Sequence, residues 1–130
     1  MAFRHGSNSF ISVDGSDVST FTDSATAAHT QDTAEVTAFG DDDKEFIAGL
    51  RDGNFSLSGH WDVTADAALI GTFDGGTVVI IYGPEGNAGG SVEYTATCIV
   101  TSYSQSSPVG DKVSWSADFQ RTGALARSTF

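Results

Sequence analysis

Cysteine and basic side chains are both scarce in this sequence. The 130-residue chain has one cysteine, Cys98, so it cannot form an internal disulfide, and a disulfide scaffold is excluded. Only 6 lysines and arginines stand against 17 aspartates and glutamates, which gives a formal net charge of −11. Nucleic acids and anionic lipids attract proteins through lysine and arginine clusters. The composition therefore argues against both as attractive partners.

Long apolar runs are missing as well. The longest, Val78 to Tyr82, is far short of the roughly 20 residues that cross a bilayer, and the opening residues do not resemble a secretory signal. We therefore expect neither a membrane partner nor export by that route. The hydrophobic content of 39% is too high for a disordered acidic chain, and the length suits one domain. We predict a single domain over 1–130, with an N-terminal arm (1–9) and a C-terminal tail (123–130).

Apolar and polar residues alternate repeatedly along the chain, as half-buried β-strands require. In 113–119, for example, valine, tryptophan, alanine and phenylalanine alternate with serine and aspartate. One stretch differs: good helix formers follow Asp62 and Thr64, which predicts a short helix over about 64–72. The sequence thus predicts a mainly β fold with one short helix. Its predicted strands lie in 10–13, 19–38, 55–61, 77–82, 91–104 and 113–119, although alanine in 19–38 also allows a helix.

The two faces of these strands predict a core and a polar surface. We expect the helix, near Ala68 and Leu69, to close one side of the core. The predicted core residues are Phe55, Leu57, Trp61, Val113, Trp115 and Phe119. The polar strand faces include Glu93, Thr95, Thr97, Ser114, Ser116 and Asp118.

Residues that could carry chemistry do not form a recognisable site. Ser58, His60 and Asp62 lie side by side on one strand face, which is not the geometry of a hydrolytic triad, and no nucleophile elbow is present. The acidic run 41–45 lacks the alternating ligands and the sixth-position glycine of an EF-hand, and Lys44 interrupts it. We interpret that run as a solvated or partner-facing loop. We therefore predict no enzymatic activity, no metal and no cofactor.

Several segments, in order, resemble the major tail (tail tube) proteins of long-tailed, non-contractile bacteriophages, especially those infecting actinobacteria. One is FGDDDKEFIAGLRDGNFSLSGHWD (39–62), which follows Thr37. Another runs from VVIIYGPEGN through SSPVGDKVSWSADFQRTGAL (78–125). The resemblance covers roughly 36–125.

The resemblance implies a β-sandwich or barrel-like subunit whose copies assemble. Six copies would close into a ring with a β-barrel lumen, and stacked rings would form the virion tail tube that delivers DNA. It implies that the protein itself is the main partner, together with a tape measure protein and tail-end proteins. DNA would pass without specific binding, and assembly would take place in the host cytoplasm. A monomeric β-sandwich binding module, of carbohydrate or adhesin type, is the alternative.

Segment 40–53 is too long for a hairpin turn and combines an acidic tip with large apolar residues. We predict a loop that joins one ring to the next, against the alternative that it folds back over its own sandwich. Its tip would suit a basic site on the neighbour, such as Arg4, Arg121 or Arg127. The predicted contact residues are Asp41, Asp42, Asp43, Lys44, Glu45, Phe46, Ile47, Leu50 and Arg51.

The polar strand faces are candidates for the wall of the lumen. Duplex DNA carries about one negative charge per 1.7 Å, so acidic and hydroxyl side chains would repel it weakly and let it slide. A lumen dominated by Arg51, Lys112 and Arg121 would contradict this hypothesis.

Overall fold

The computed structural model describes residues 5–72 and 74–130. One antiparallel sheet of eight strands runs in the order β2-β1-β5-β6-β7-β4-β3, with β8 paired to β6 beside β7. One helix, α1 (Val63–Ile70), and two 3-10 turns, Gly6–Asn8 and Ser19–Phe21, accompany the sheet. The strands are β1 (Phe10–Val13), β2 (Ser16–Asp17), β3 (Thr22–Glu35), β4 (Phe46–His60), β5 (Val78–Gly83), β6 (Val92–Ser106), β7 (Ser114–Arg121) and β8 (Ala126–Thr129). The predicted mainly β class with one short helix is confirmed.

The core lies on one face of this sheet. Val13 of β1 and Phe55 of β4 belong to the same buried cluster, although three strands separate β1 from β4 in the sheet. The sheet must therefore curl around a single core, which gives the subunit a barrel-like form. Of the predicted core residues, Phe55, Leu57, Trp115 and Phe119 are buried, and Trp61 is partly buried against them.

Val113 does not belong to the core, so this part of the prediction was wrong. It is 37% exposed and precedes the first residue of β7. Its carbonyl accepts a hydrogen bond from the Trp61 amide (3.0 Å) in the connection that leads into the strand. Strand alternation fixes side-chain direction only within the strand, so it does not apply to this valine.

Helix α1 begins at a conventional cap and packs its inner side on the core. The Asp62 carboxylate accepts a hydrogen bond from the Thr64 amide at 2.9 Å, which satisfies one of the free amides of the first turn. Ala65 and Leu69 are buried, while Val63 and Ile70 face outward and are exposed. The helix is thus apolar on both sides, which is typical of a helix that is covered on both sides.

A single carboxylate ties the helix to the sheet. Asp66 Oδ1 accepts hydrogen bonds from Tyr103 OH (2.8 Å), Gln105 Nε2 (3.1 Å) and Trp61 Nε1 (3.3 Å). Tyr103 reaches this position because the register of β6 shifts between Val100 and Ser102, as in a β-bulge. The bulge turns Tyr103 from the polar face of β6 towards the core.

Segment 40–53 is not one loop. Residues 46–53 are the first part of β4, where Phe46 pairs with Glu35 and Ile47 with Ala34, so only 36–45 connects the strands. This hairpin ribbon is exposed on both faces, and its sequence therefore lacks the alternation that marks a half-buried strand.

The predicted C-terminal tail is also ordered by pairing. Residues 126–129 form β8, the Phe130 amide donates to the Ser91 carbonyl (3.0 Å), and the Phe130 ring packs edge-on against Phe10. The prediction of a tail was wrong because backbone pairing leaves no apolar pattern in an exposed strand. Residues 1–4 of the predicted N-terminal arm, with Arg4, lie outside the described residues.

Candidate assembly surfaces

The outer part of the β3–β4 hairpin projects away from the core. We call residues 29–52 the arm, and every one of them is exposed. Strand β4 first meets β7 at Asn54, which pairs with Gln120, so nearer the hairpin tip β4 has β3 as its partner among the described residues. A two-stranded ribbon is only marginally stable by itself in water. The arm therefore depends on its own pairing in the isolated subunit.

Large apolar side chains of the arm are open to solvent. Phe46 is 55% exposed, Ile47 56% and Leu50 83%, and Val36 and Phe39 near the tip are exposed too. The arm does not fold back over its own core, which was the alternative to an intermolecular contact. Phe46 and Ile47 are successive residues of β4, so both faces of the ribbon carry exposed apolar side chains, which is typical of a surface that binds partners.

The tip of the arm, residues 37–45, is built by local hydrogen bonds and carries free carboxylates. Asp41 Oδ2 accepts from the Ala38 amide (2.7 Å), and Thr37 Oγ1 accepts from the Glu45 amide (2.9 Å). Within 5–72 and 74–130, the carboxylates of Asp42, Asp43 and Glu45 accept no hydrogen bond. In the same residues, no group of three or more histidine, cysteine or acidic side chains is placed to hold a metal ion.

The six candidate lumen residues share one face of the sheet. Their neighbours in sequence, among them Cys98, Trp115 and Phe119, point into the core. The candidates are Glu93, Thr95 and Thr97 of β6 and Ser114, Ser116 and Asp118 of β7. Arg121, in contrast, lies on the core side of β7 and is 8% exposed.

Hydroxyl and carboxyl groups form a network across this polar face. Ser102 Oγ donates to Asp118 Oδ2 (3.0 Å), and the hydroxyl oxygens of Ser104 and Ser116 are 2.8 Å apart. Towards the other end of β6, Thr95 Oγ1 donates to Glu93 Oε1 at 2.9 Å. The face is therefore acidic and rich in hydroxyls.

Sequence reasoning missed part of the polar face. Ser102, Ser104 and Ser106 belong to it, because the bulge of β6 moves the even-numbered residues onto the face that odd-numbered residues occupy before it. The alternating serines of this stretch were visible in the sequence, but the position of the bulge was not. On β5 and β6 the same face also exposes Val79 and Ile99, which makes it partly apolar.

Asp66 and Cys98 are among the titratable groups whose pKa values are perturbed by their surroundings. The hydrogen bond from Tyr103 is the main cause that holds the pKa of Asp66 below its usual value, with further bonds from Trp61 and Gln105 and an opposing effect of burial. Burial raises the pKa of the Cys98 thiol to about 11, against a smaller opposing effect of the Arg121 charge. A thiol protonated in this way is a poor nucleophile, so Cys98 serves as a small core residue.

Among the described ranges, no helix is long and apolar enough to span a bilayer.

The curled eight-stranded sheet with one helix is the fold of tail tube subunits. The chain is similar to the subunit of the tail of an empty gene transfer agent particle, refined with C6 symmetry, at a TM-score of 0.83 and 17% identity. That match covers 98% of this chain and 100% of the other. The SPP1 tail tube gives a TM-score of 0.76 at 9% identity, over 98% of this chain and 80% of that one.

A further likeness extends to another tail component. The SPP1 Dit protein, described as a hub of the adsorption apparatus of phages that infect Gram-positive bacteria, gives a TM-score of 0.54 at 12% identity. That match covers 87% of this chain and 49% of Dit. No protein-family profile matches the chain, and no curated protein matches it in sequence. At these identities the likenesses establish the fold.

Proposed function

We propose that this protein is the structural subunit of a phage-type tail tube. Six copies form a ring, and rings stack into a hollow tube through which DNA is delivered to the host. The observation that carries the proposal is the likeness over 98% of the chain to a subunit of a six-fold symmetric tail, which it covers completely.

The open edges of the sheet support lateral assembly. Strand β3 has 14 residues and forms one edge, and the two-residue β2 forms the other. A long uncovered edge presents unpaired backbone groups and is a liability in a monomer. Neighbours in a ring would cover it, and head-to-tail contacts of this kind close into rings when the rotation fits.

The exposed arm supports contacts between rings. Phe46, Ile47 and Leu50 are open in the isolated subunit, and a neighbouring copy would bury them. We assign the inter-ring contact to the arm, including Asp41, Asp42, Asp43, Lys44, Glu45 and Arg51 of its tip and base.

The polar face supports a lumen that does not hold DNA. Its carboxylates, such as Glu93 and Asp118, repel phosphate, whereas lysines and arginines would bind it through counterion release. Arg121 lies on the opposite side of the sheet from this face. A tube whose lumen is lined mainly by Arg51, Lys112 and Arg121 would contradict the assignment.

A hollow tube would have further protein partners, inside its lumen and at its two ends. Its lumen would enclose a tape measure protein during growth in the host cytoplasm, and its two ends would contact other tail proteins. The assembled protein would be part of the virion. We propose no catalytic role and no cofactor for it.

Assembly separates this proposal from a monomeric binding module. We expect negative-stain electron micrographs of the concentrated protein to show rings and hollow tubes. Sedimentation should show assemblies whose size increases with protein concentration. A particle of 13.5 kDa at every concentration, with no rings or tubes, would favour the binding module instead.

Replacing Phe46, Ile47 and Leu50 together with serine tests the role of the arm. Because all three are exposed, we expect unchanged β-sheet circular dichroism and melting temperature but no tubes. The matched control replaces the exposed Val109 and Val113 with serine and should still polymerise. A triple variant that unfolds, or that forms tubes normally, would show that the arm does not join the rings.

A further inference from the structure

An open groove of ≈ 720 Å³ lies at the base of the arm. We call it the base groove, and it lies between the arm and the segment that follows β7. Its lining includes His29, Leu50, Arg51, Asp52, Arg121 and Leu125. Two of the six basic side chains of this acidic protein thus line one groove.

Arg121 is an unusual residue to find there. It is only 8% exposed, yet among residues 5–72 and 74–130 its guanidinium donates no hydrogen bond and forms no ion pair. It lies beside Gly53 of β4, where a Cβ would be in ordinary van der Waals contact with the guanidinium carbon, at 3.5 Å. Among the described residues no buried side-chain nitrogen lacks a hydrogen-bond partner, so the guanidinium nitrogens of Arg121 reach solvent, and an anion in the groove can contact them.

The groove keeps a net positive charge, because Asp52 offsets only one of its two arginines. The Asp52 carboxylate is occupied by the Gln120 amide (2.7 Å) and by the Gly53 backbone amide (2.8 Å). Arg51 is exposed at the rim. Leu125 packs against the core and supplies an apolar wall. The groove therefore fits an acidic segment that also carries an apolar side chain.

The tip of the arm has this chemistry. The carboxylates of Asp42, Asp43 and Glu45 are free within the described chain, and the fully exposed ring of Phe39 lies beside them. We propose that the acidic tip of one copy docks into the base groove of the next copy, where its carboxylates pair with Arg51 and Arg121. This inference rests on the proposed tail tube function and names the partner of the arm.

The geometry of the contact makes it repeat. Tip and groove lie at different levels of the same ribbon: Arg51 follows Glu45, the last residue of the tip, by six residues, or about 20 Å of extended strand. A contact between two different surfaces continues from copy to copy when the rotation that relates the copies does not close. Such a contact would stack rings without limit.

Charge reversal tests the contact from both sides. The groove variant is Arg51→Glu, and the tip variant carries Asp42→Lys and Asp43→Lys; both sites are exposed, so both proteins should fold. We expect each to raise the critical concentration for tubes about tenfold, because each replaces attraction by repulsion. The matched controls Lys112→Glu and Asp111→Lys, outside the groove and the tip, should leave it within about twofold.

Mixing the variants gives a sharper result. In an equimolar mixture the acidic tip of the groove variant meets the basic groove of the tip variant, and the basic tip of the tip variant meets Glu at position 51 of the groove variant. Both contacts between unlike copies join opposite charges, so we expect the mixture to form tubes at a lower concentration than either variant alone. A chain that carries both changes restores opposite charges at every contact and should form long tubes again.

The outcomes separate this inference from the function on which it rests. If the wild-type protein forms no tubes, the proposed function is wrong and the contact falls with it. If the wild-type protein forms tubes and the charge reversals behave like their controls, the function stands and the tip-to-groove contact is wrong. A groove that serves another anion, such as a DNA phosphate, would give this second result.

Discussion

Replacing Trp115 with phenylalanine should lower the free energy of unfolding of the subunit by about 2 kcal/mol. The indole of Trp115 is buried, and its Nε1 donates to the carbonyl oxygens of His60 (3.0 Å) and Phe21 (3.2 Å). Phenylalanine cannot donate this bond, which costs about 1 kcal/mol, and its smaller ring leaves a space worth about 1 kcal/mol more. With an unfolding entropy of about 2.1 cal/mol/K per residue, the melting temperature falls by roughly 7 °C.

Trp61 provides a matched control within the same chain. Its Nε1 also donates a hydrogen bond, but the acceptor is the Asp66 carboxylate (3.3 Å), and the residue is only partly buried. Water can replace that bond, so Trp61→Phe should cost less than half as much as Trp115→Phe. The assay is urea unfolding followed by far-UV circular dichroism, at a concentration where sedimentation shows monomers, since assembly would add its own stability.

Equal losses in the two variants would refute the reasoning, because burial of the acceptors would then make no difference. A loss below about 0.5 kcal/mol in Trp115→Phe would also contradict it, since surface substitutions alone reach that size.

Three other perturbations have expected results. The pKa of Asp66 is lower in the folded state than its unfolded value of 3.8. The ionised carboxylate therefore stabilises the fold above pH 3.8, and this stabilisation is lost as the pH falls through the folded pKa. When the melting temperature is measured against pH, Asp66→Asn should show a smaller drop in acid than the wild type. The buried thiol of Cys98, with a pKa of about 11, should react with a thiol reagent at pH 8 only after denaturation, and rapid labelling of the folded protein would contradict its burial. A Cβ on Gly59 would collide with the Phe21 carbonyl oxygen, so Gly59→Ala should give insoluble or misfolded protein, whereas Gly89→Ala, with open space around it, should fold normally.

Much of the fold could be predicted from the sequence wherever one side of an element is buried within the subunit. Alternation identified β7 through Trp115 and Phe119, and the cap at Asp62 marked the start of α1 within one residue. These signals exist because the core selects the residues on one face of each element.

The arm, β8 and the bulge of β6 could not be predicted in the same way. Residues 46–52 and Ala126–Thr129 are held by backbone pairing and are exposed in the isolated subunit, so no core selects their side chains. The sequence did indicate that Phe46, Ile47 and Leu50 would be buried by another surface, but not that they belong to a strand. The base groove could not be predicted from the sequence either, because only the pairing of β4 with β7 brings Arg51 and Arg121 together.

The strand order also controls when the subunit can become competent to assemble. The β3–β4 hairpin and its acidic tip form from residues 22–60, which a ribosome releases early. The base groove is incomplete until Arg121 and Leu125 have been synthesised. Strand β1 likewise cannot pair until β5 is available, because Phe10 pairs with Gly83. A nascent chain thus contains the acidic tip long before it contains all the residues of the base groove. In the proposed contact, the tip of an unfinished subunit could dock into the groove of a finished one at the end of a tube. Without its own groove, the unfinished subunit could not accept the next tip, so a tube would grow only from subunits whose synthesis and folding are complete.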